Sequence, residues 1–537
     1  MKRENWIDAI LVFALSLAYL SLLPHCFSVF DEGILAETAE RIYLGEVLYR
    51  DFFAYWNPGG FWLNAAFFHL AGISVGALRV PLTLLGAVAA VGVWRLARDH
   101  SGRLLAVVAG LAVTMVCYPL WWMASSHWYS TYAAIAAAVV LRRCFDERST
   151  DLAPFATGVL SGVTFVMLQP TGGFLCVAIV AVFAWDGFLL GARAATVKRI
   201  AVFSLGVLVP MLMMYGYYAV HGALGVMLYD TLLWNLEHYS PALKSPYGDV
   251  SILGNRDLPF KVIRWVLMVL PPFIYLLALA LTGSRYLRRQ AELEDRRLFA
   301  LTVVGFGLLA SNYYFPDLIH LAFGAPPAFA VLAAMLFRCG ATDIGRHLAR
   351  AGAVVFLVFV GMSGTILARN YLAQCPVEIS TPRGSIATAP VFVDDFRTLF
   401  SFFEGRLSPG ERFYVYPYGP GYNFLVGHLS ASPYMVVFPQ SPTLTTDDEL
   451  AEVRAAIESQ RVRFVVVPFL FRAVFGKGNR AVERYLLEHY RPVSGDSPTL
   501  ILERKPTPRA GVVPGTARVS VLAETTIGRE RSGMLPK

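Results

Sequence analysis

Two carboxylates stand side by side in Asp31-Glu32-Gly33, directly beyond a first apolar segment, Ile7–Val29. That segment is long enough to cross a hydrocarbon core of ~30 Å, so the pair emerges where water, head groups and hydrocarbon meet. This is a place for chemistry on a lipid-borne substrate. The pair opens a loop of mixed polarity closed by Tyr49-Arg50-Asp51-Phe52 and Asn57-Pro58-Gly59-Gly60. The competing account is a helix N-terminus on Ile34–Tyr43 stabilised by ~0.3–1 kcal/mol through its dipole. Glu37 and Glu40 already supply acid to that helix, which favours the chemical reading. Further along, Asp317 and His320 lie one helical turn apart at the outer end of a span, where ionisable groups are costly unless they face a cavity or pair. Function and a mere mutual pair explain those two equally well.

The elements that position these residues are set by composition. Of 537 residues, 56% are hydrophobic and 16% charged, with a mean hydropathy of +0.52, which excludes a soluble enzyme. Further spans are expected at Leu78–Arg95, Leu104–Leu120, Tyr129–Leu141, Leu152–Leu168, Gly172–Leu190, Ile200–Val220, Val262–Leu281, Phe299–Asn312, Leu318–Phe337 and Ala351–Leu367, about eleven in all. With Met1 cytoplasmic, alternate loops carry the arginine clusters Arg95/Arg98/Arg103, Arg142/Arg143/Arg148, Arg285/Arg288/Arg289 and Arg338/Arg346/Arg350, as the positive-inside rule requires. The acidic loop and everything after the last span then lie outside. These inner loops account for most of the net charge of +8, so it is not a nucleic-acid footprint. The first segment is expected to be a retained anchor, being long and lacking a small-residue cleavage pattern. Six cysteines without CxxC or short His spacing indicate neither zinc nor a disulfide framework, and are read as core packing.

The expected fold is mainly α: a polytopic membrane helical bundle over residues 1–370, with its first outer loop at 30–77. A small extracytoplasmic α/β domain follows over 371–505, then a flexible tail over 506–537. Strands are expected at Arg412–Tyr416, Val462–Val467 and Thr499–Arg504, and helices at Asp447–Gln460 and Asn479–Tyr490. The loop Tyr229–Lys261, with Trp234, Asn235, Glu237, His238, Tyr239, Tyr247 and Asp249, suits sugar recognition by a lid, or interfacial anchoring.

The order Asp31-Glu32-Gly33, Glu40-Arg41, Gly45, Tyr49-Arg50-Asp51-Phe52, Asn57-Pro58-Gly59-Gly60 and Leu78-Arg79-Val80-Pro81 resembles the first outer loop of the GT-C membrane glycosyltransferases. The similarity is to the bacterial branch related to protein mannosyltransferases, aminoarabinose transferases and rhizobial galacturonosyltransferases. It continues through Gly162–Gly173, Pro316-Asp317-Leu318-Ile319-His320, Pro326-Pro327 and Pro409-Gly410-Glu411-Arg412 to Val465-Val466-Val467, and so covers most of the chain.

The resemblance implies transfer of a monosaccharide from a polyprenyl phosphate to a cell-envelope lipid or glycan acceptor, on the outer face of a bacterial inner membrane and with inversion. Asp31 aligns with the family's first-loop acid and is the expected general base, with Glu32 as a second acceptor, metal contact or capping partner. The departing phosphate must be met by cations or donors, for which Arg50, Lys244, Arg256 and His320 are available outside. Asn57 and Gln169 stand where relatives often carry Lys, and His127 lies where some carry a second acid. Asn57 and Gln169 are explained equally well as turn residues. Asp31 and Glu32 with His127 or His320 could hold a hard divalent ion, although no ligand spacing argues for one. The rival reading is a transporter or flippase of lipid-linked glycans, which should show internal repeats and midplane charges. The charges here cluster at outer ends instead.

Overall fold

The computed structural model describes residues 3–23, 26–189, 191–239, 245–249, 258–340, 343–437, 444–476, 481–494 and 499–506. Every expected apolar segment is helical. Six helices are long and apolar enough to cross a membrane: Val75–Arg98, Arg103–Leu120, Gln169–Leu189, Arg193–Val220, Leu258–Leu287 and Asp343–Gln374. The pair Leu318–Gly324 and Pro326–Cys339, bent by 60°, is long and apolar enough only when taken together as one span. Pro326 and Pro327 cannot donate to the preceding turn, so the ladder breaks there.

The other expected spans differ from the prediction in length or polarity. The first helix is Arg3–Ser21, ending eight residues short of Val29, because Cys26 and Phe27 pair with Ala387 instead. Ser126–Leu141 and Leu152–Met167 are helices of 16 residues each. Leu293–Ala310 opens with Glu294, Asp295, Arg296 and Arg297, too polar a first turn to count as a crossing. Within Arg103–Leu120 the α-ladder widens into a π-turn at Val113–Cys117 before Pro119. Close approach is bought with glycine where helices touch. A Cβ at Gly158 would fall 2.0 Å from the Phe203 carbonyl, so Leu152–Met167 and Arg193–Val220 meet backbone to backbone.

Beyond Gln374 the chain forms a mixed layer. Strands β1 (Val377–Thr381) and β2 (Gly384–Thr388) make an antiparallel hairpin around the Thr381-Pro382-Arg383-Gly384 turn. A four-stranded sheet has the order β3-β4-β6-β5, with β3 (Tyr414–Val415) parallel to β4 (Phe464–Val467), and β6 (Leu500–Arg504) antiparallel to both β4 and β5 (Tyr490–Pro492). The helix Asp447–Ser459 starts in a capping box between Thr446 and Glu449. It packs with Ala481–His489 on the second apolar cluster, around Val453, Ile457, Val465 and Leu486. The three expected strands are present but shorter. The hairpin β1-β2 and strand β5 escaped the sequence reading, since five residues of mixed polarity carry little period-2 signal.

One expectation is overturned. Cys26 and Cys375 form a disulfide across 349 residues, with Cα atoms 5.7 Å apart. Sequence spacing could not reveal it, because the two cysteines meet only when the bundle returns the end of its last helix beside the end of its first. Cys117 and Cys144 are buried core residues, as expected.

Candidate active site

The helix Asp31–Tyr43 carries four carboxylates, and three of them are consumed by its own docking. Glu32 is fully buried and accepts from Arg79 Nη2 at 2.6 Å; the same guanidinium binds the carbonyls of Cys26 and Trp122. Glu37 accepts the Ser430 amide at 2.5 Å, and Glu40 pairs with Arg383. Arg41 reaches the carbonyls of Ser430 and Ser432 at 2.5 and 2.9 Å. Gly33 completes the seat, for a Cβ there would fall 2.1 Å from the Gly421 amide nitrogen. Glu37 and Glu40 therefore fasten the helix to the C-terminal layer rather than compensating its dipole. Only Asp31, at the first position, is left open to a cavity.

That cavity, of about 270 Å³, brings Asp31 together with His127, Asp317 and His320. Asp317 caps the helix Leu318–Gly324, its Oδ1 accepting the His320 amide at 2.8 Å. The same oxygen lies 2.7 Å from His320 Nδ1, which fixes the ring and leaves Nε2 for a ligand. His127 follows the Ser125 cap of Ser126–Leu141, and its ring meets the His320 ring edge-on at 5.0 Å. The surrounding protein pushes the Asp31 carboxyl above its ordinary range by desolvation, opposed by the Trp121 indole and by the charge of His320. A carboxylate that is open to a cavity yet poorly hydrated is a stronger base than one in water.

The remaining expected site residues go elsewhere. Arg50 is held by Asp51 at 2.8 Å on the surface, outside the cavity lining. Asn57 donates through Nδ2 to the Phe165 carbonyl at 2.7 Å, and its amide donates to Gln169 Oε1 at 3.1 Å. Gln169 Nε2 in turn donates to the carbonyls of Tyr55 and Thr231, both at 3.1 Å. Asn57 and Gln169 thus stitch the loop to the bundle. Lys244 and Arg256 lie outside the described residues. Among the described residues, no Lys or Arg lines the cavity.

Sequence reasoning missed the aromatic wall. Tyr55 lies stacked on Trp234 at 5.2 Å and 5.1 Å from the Tyr239 ring, while Phe53 meets Trp234 at 4.9 Å. Trp234 and Tyr239 had been singled out in their loop, but Tyr55 gave no signal beyond its aromatic neighbours. Tyr418 and Glu449 line the cavity from the C-terminal layer, Glu449 accepting the Trp234 indole at 3.2 Å. Tyr418, in the turn Tyr416–Asn423, is the residue by which that turn walls the site.

Two more cavities adjoin. One of about 490 Å³ reaches Asp31 from the other side, past Val29, Trp122, Leu367 and Tyr371. Another of about 480 Å³ shares Trp56 and Tyr239 and runs along Phe174, Val177 and Leu236 between helices. Among the described residues no three His, Cys, Asp or Glu side chains converge in a way that could hold a metal ion. Glu32, one of the expected ligands, is turned away into its arginine pair. The described residues therefore do not fit a metal site.

No family model and no curated protein matches the chain. Solved structures do. An oligosaccharyltransferase from Archaeoglobus fulgidus, tethered to an acceptor peptide, aligns over 94% of this chain and 74% of its own, with TM-score 0.51 and 12% identity. ArnT from Cupriavidus metallidurans bound to undecaprenyl phosphate aligns over 93% of this chain and 97% of its own, with TM-score 0.54 and 13% identity. Its apo state gives 94% and 98%, with the same score and identity. The similarity is one of fold, and it spans the bundle and the C-terminal layer together: the chain shares the architecture of these two solved enzymes.

Proposed function

We propose that this protein is a membrane glycosyltransferase that moves a monosaccharide from a polyprenyl phosphate to a hydroxyl of a cell-envelope lipid or glycan, with Asp31 as general base. The observation that carries the reading is the open Asp31 carboxylate, facing the Asp317–His320 pair across a cavity walled by aromatic rings. Asp31 takes the proton of the acceptor hydroxyl as its oxygen attacks the anomeric carbon; the bond from that carbon to the phosphate oxygen breaks, and the phosphate leaves with the electron pair on its lipid. Attack from the face opposite the leaving group inverts the anomeric centre. His320, held through Nδ1 by Asp317, donates from Nε2 to the departing charge when its ring is in the imidazolium form. Lys244 and Arg256 are the further basic candidates for the phosphate.

The apolar groove along Phe174, Val177 and Leu236 suits the polyprenyl tail, and the cavity on the far side of Asp31 suits the acceptor. The rings of Tyr55, Trp234 and Tyr239 offer flat faces for the sugar. The sugar is identified by incubating the purified protein and its Asp31→Asn variant with radiolabelled polyprenyl-phosphate sugars and envelope lipid extract. Label passing to a new lipid or glycan only with Asp31 intact supports the assignment. Transfer that survives the substitution removes Asp31 as base, and no transfer from any donor by folded protein turns the reading toward flipping of lipid-linked glycans.

A further inference from the structure

A cavity larger than the one at Asp31 lies far from it. A space of about 1080 Å³ opens at the other end of the bundle, where Leu258–Leu287 and Pro326–Cys339 end and Asp343–Gln374 begins. The last of these has 32 residues, so it spans about 48 Å at 1.5 Å per residue and carries the two sites to opposite ends of the molecule. Five arginines line the space: Arg285, Arg288, Arg338, Arg346 and Arg350. Asp295, fully buried, holds Arg338 Nη1 at 2.6 Å and Arg285 Nη1 at 2.8 Å, and Arg346 pairs with Asp343. Arg288 and Arg350 have no ion-pair or side-chain hydrogen-bond partner among the described residues. Glu292, whose side chain caps the helix Leu293–Ala310, and Glu294 line the space too, with His100, Ser284 and Gln290; apolar side chains form the rest of the wall, and Leu281 and Phe337 are exposed at its rim.

We propose that this cavity binds the phosphate of an anionic phospholipid, with Arg288 and Arg350 as its ligands and the acyl chains lying over Leu281 and Phe337. The guanidinium fork matches a phosphodiester in geometry and charge. A helix of 32 residues outruns a hydrocarbon core of ~30 Å, so its end must emerge among head groups. Basic pockets between helices at that depth are where anionic head groups settle. The apolar rim favours a lipid over a free phosphate ion, which would use the arginines alone. The Asp295 and Asp343 pairs hold Arg285, Arg338 and Arg346 back, and Glu292 is occupied in its cap, so Arg288 and Arg350 are the guanidiniums left to meet the ligand, with Glu294 the remaining carboxylate on the wall. The site needs nothing from the transfer chemistry at Asp31 and stands whether or not that reading holds.

The test uses the full chain in detergent, titrated with phosphatidylglycerol, phosphatidylcholine or inorganic phosphate and read by native mass spectrometry and thermal unfolding. Phosphatidylglycerol should stay bound and raise the melting midpoint where phosphatidylcholine does not. In Arg288→Gln/Arg350→Gln its affinity should fall about thirtyfold. The variant's midpoint without lipid should match the parent's, since neither guanidinium holds a partner. Equal binding of the two lipids by the parent would overturn the proposal without any variant. Undiminished phosphatidylglycerol binding by the variant would overturn it too. Inorganic phosphate reproducing the shift with the same arginine dependence would overturn the lipid assignment.

Discussion

The two ends of the helical bundle use ionisable residues in opposite ways. At one end Asp31, Asp317 and two histidines face an aromatic cavity that no described Lys or Arg lines, and every other acid of the Asp31–Tyr43 helix is spent on docking. At the other end a buried aspartate restrains two of five arginines, and two have no ion-pair partner among the described residues. Neighbours in sequence show the same contrast, for Asp31 is open while Glu32 is sealed against Arg79. What decides between chemistry and scaffold is therefore not residue type but whether a partner has been supplied.

Breaking the Asp31 end should give the largest effect. Asp31→Asn keeps the shape and removes the base, so transfer should fall by about 10²–10⁴-fold with membrane insertion and thermal unfolding unchanged. Parent-like activity would sink the assignment. Glu32→Ala should do the reverse, because it leaves Arg79 charged and buried without its partner, at a cost of ~3–5 kcal/mol. The check is a lowered unfolding midpoint, and an unchanged midpoint with lost transfer would mean that Glu32 belongs to the chemistry after all.

Smaller changes sharpen the contrast. Asp317→Asn weakens the charged bond that orients His320, and should lower kcat by roughly 10–100-fold, the value of a hydrogen bond to a charged group. If instead only the KM for donor rises, His320 positions the ground state and not the departing phosphate. The pH profile provides a gentler probe. Asp31 must be ionised to accept a proton and burial raises its pKa, so kcat/KM should be lost as pH falls through a value above the ordinary ~3.9 of aspartate. An acid limb at the ordinary value would place the base in open water. Smallest of all should be the effect of Arg288→Gln/Arg350→Gln on transfer measured in lipid-free detergent. Any loss there beyond about twofold would couple ends that the structure keeps a helix length apart.

Much of the membrane part was legible because hydrocarbon imposes a simple rule: a segment that crosses must be long, apolar and helical. Of about eleven expected crossings, six are helices long and apolar enough to cross and the bent pair at Pro326-Pro327 makes up to a seventh, while the rest are helical but shorter or more polar. The polar details followed no such rule. Asn57 and Gln169 were plausible ligands by position, but each had backbone groups from distant segments within reach. Tyr55 looked like any interfacial aromatic until Trp234 and Tyr239 were brought against it. The Cys26–Cys375 bond links positions 349 residues apart, a distance over which spacing carries no information.

By itself the sequence determined the class of solvent, the helical segments, the position of the first acidic loop and the resemblance that its motifs carry, since all of these are local properties of composition and order. Only the tertiary structure decided which of two adjacent carboxylates is open and that His127, Asp317 and His320 converge on it. The same packing left Arg288 and Arg350 at the opposite end with no ion-pair partner among the described residues. Pairing is a property of three-dimensional neighbours, and in a poorly hydrated interior an ionisable group that is given no partner is the one left available to a ligand.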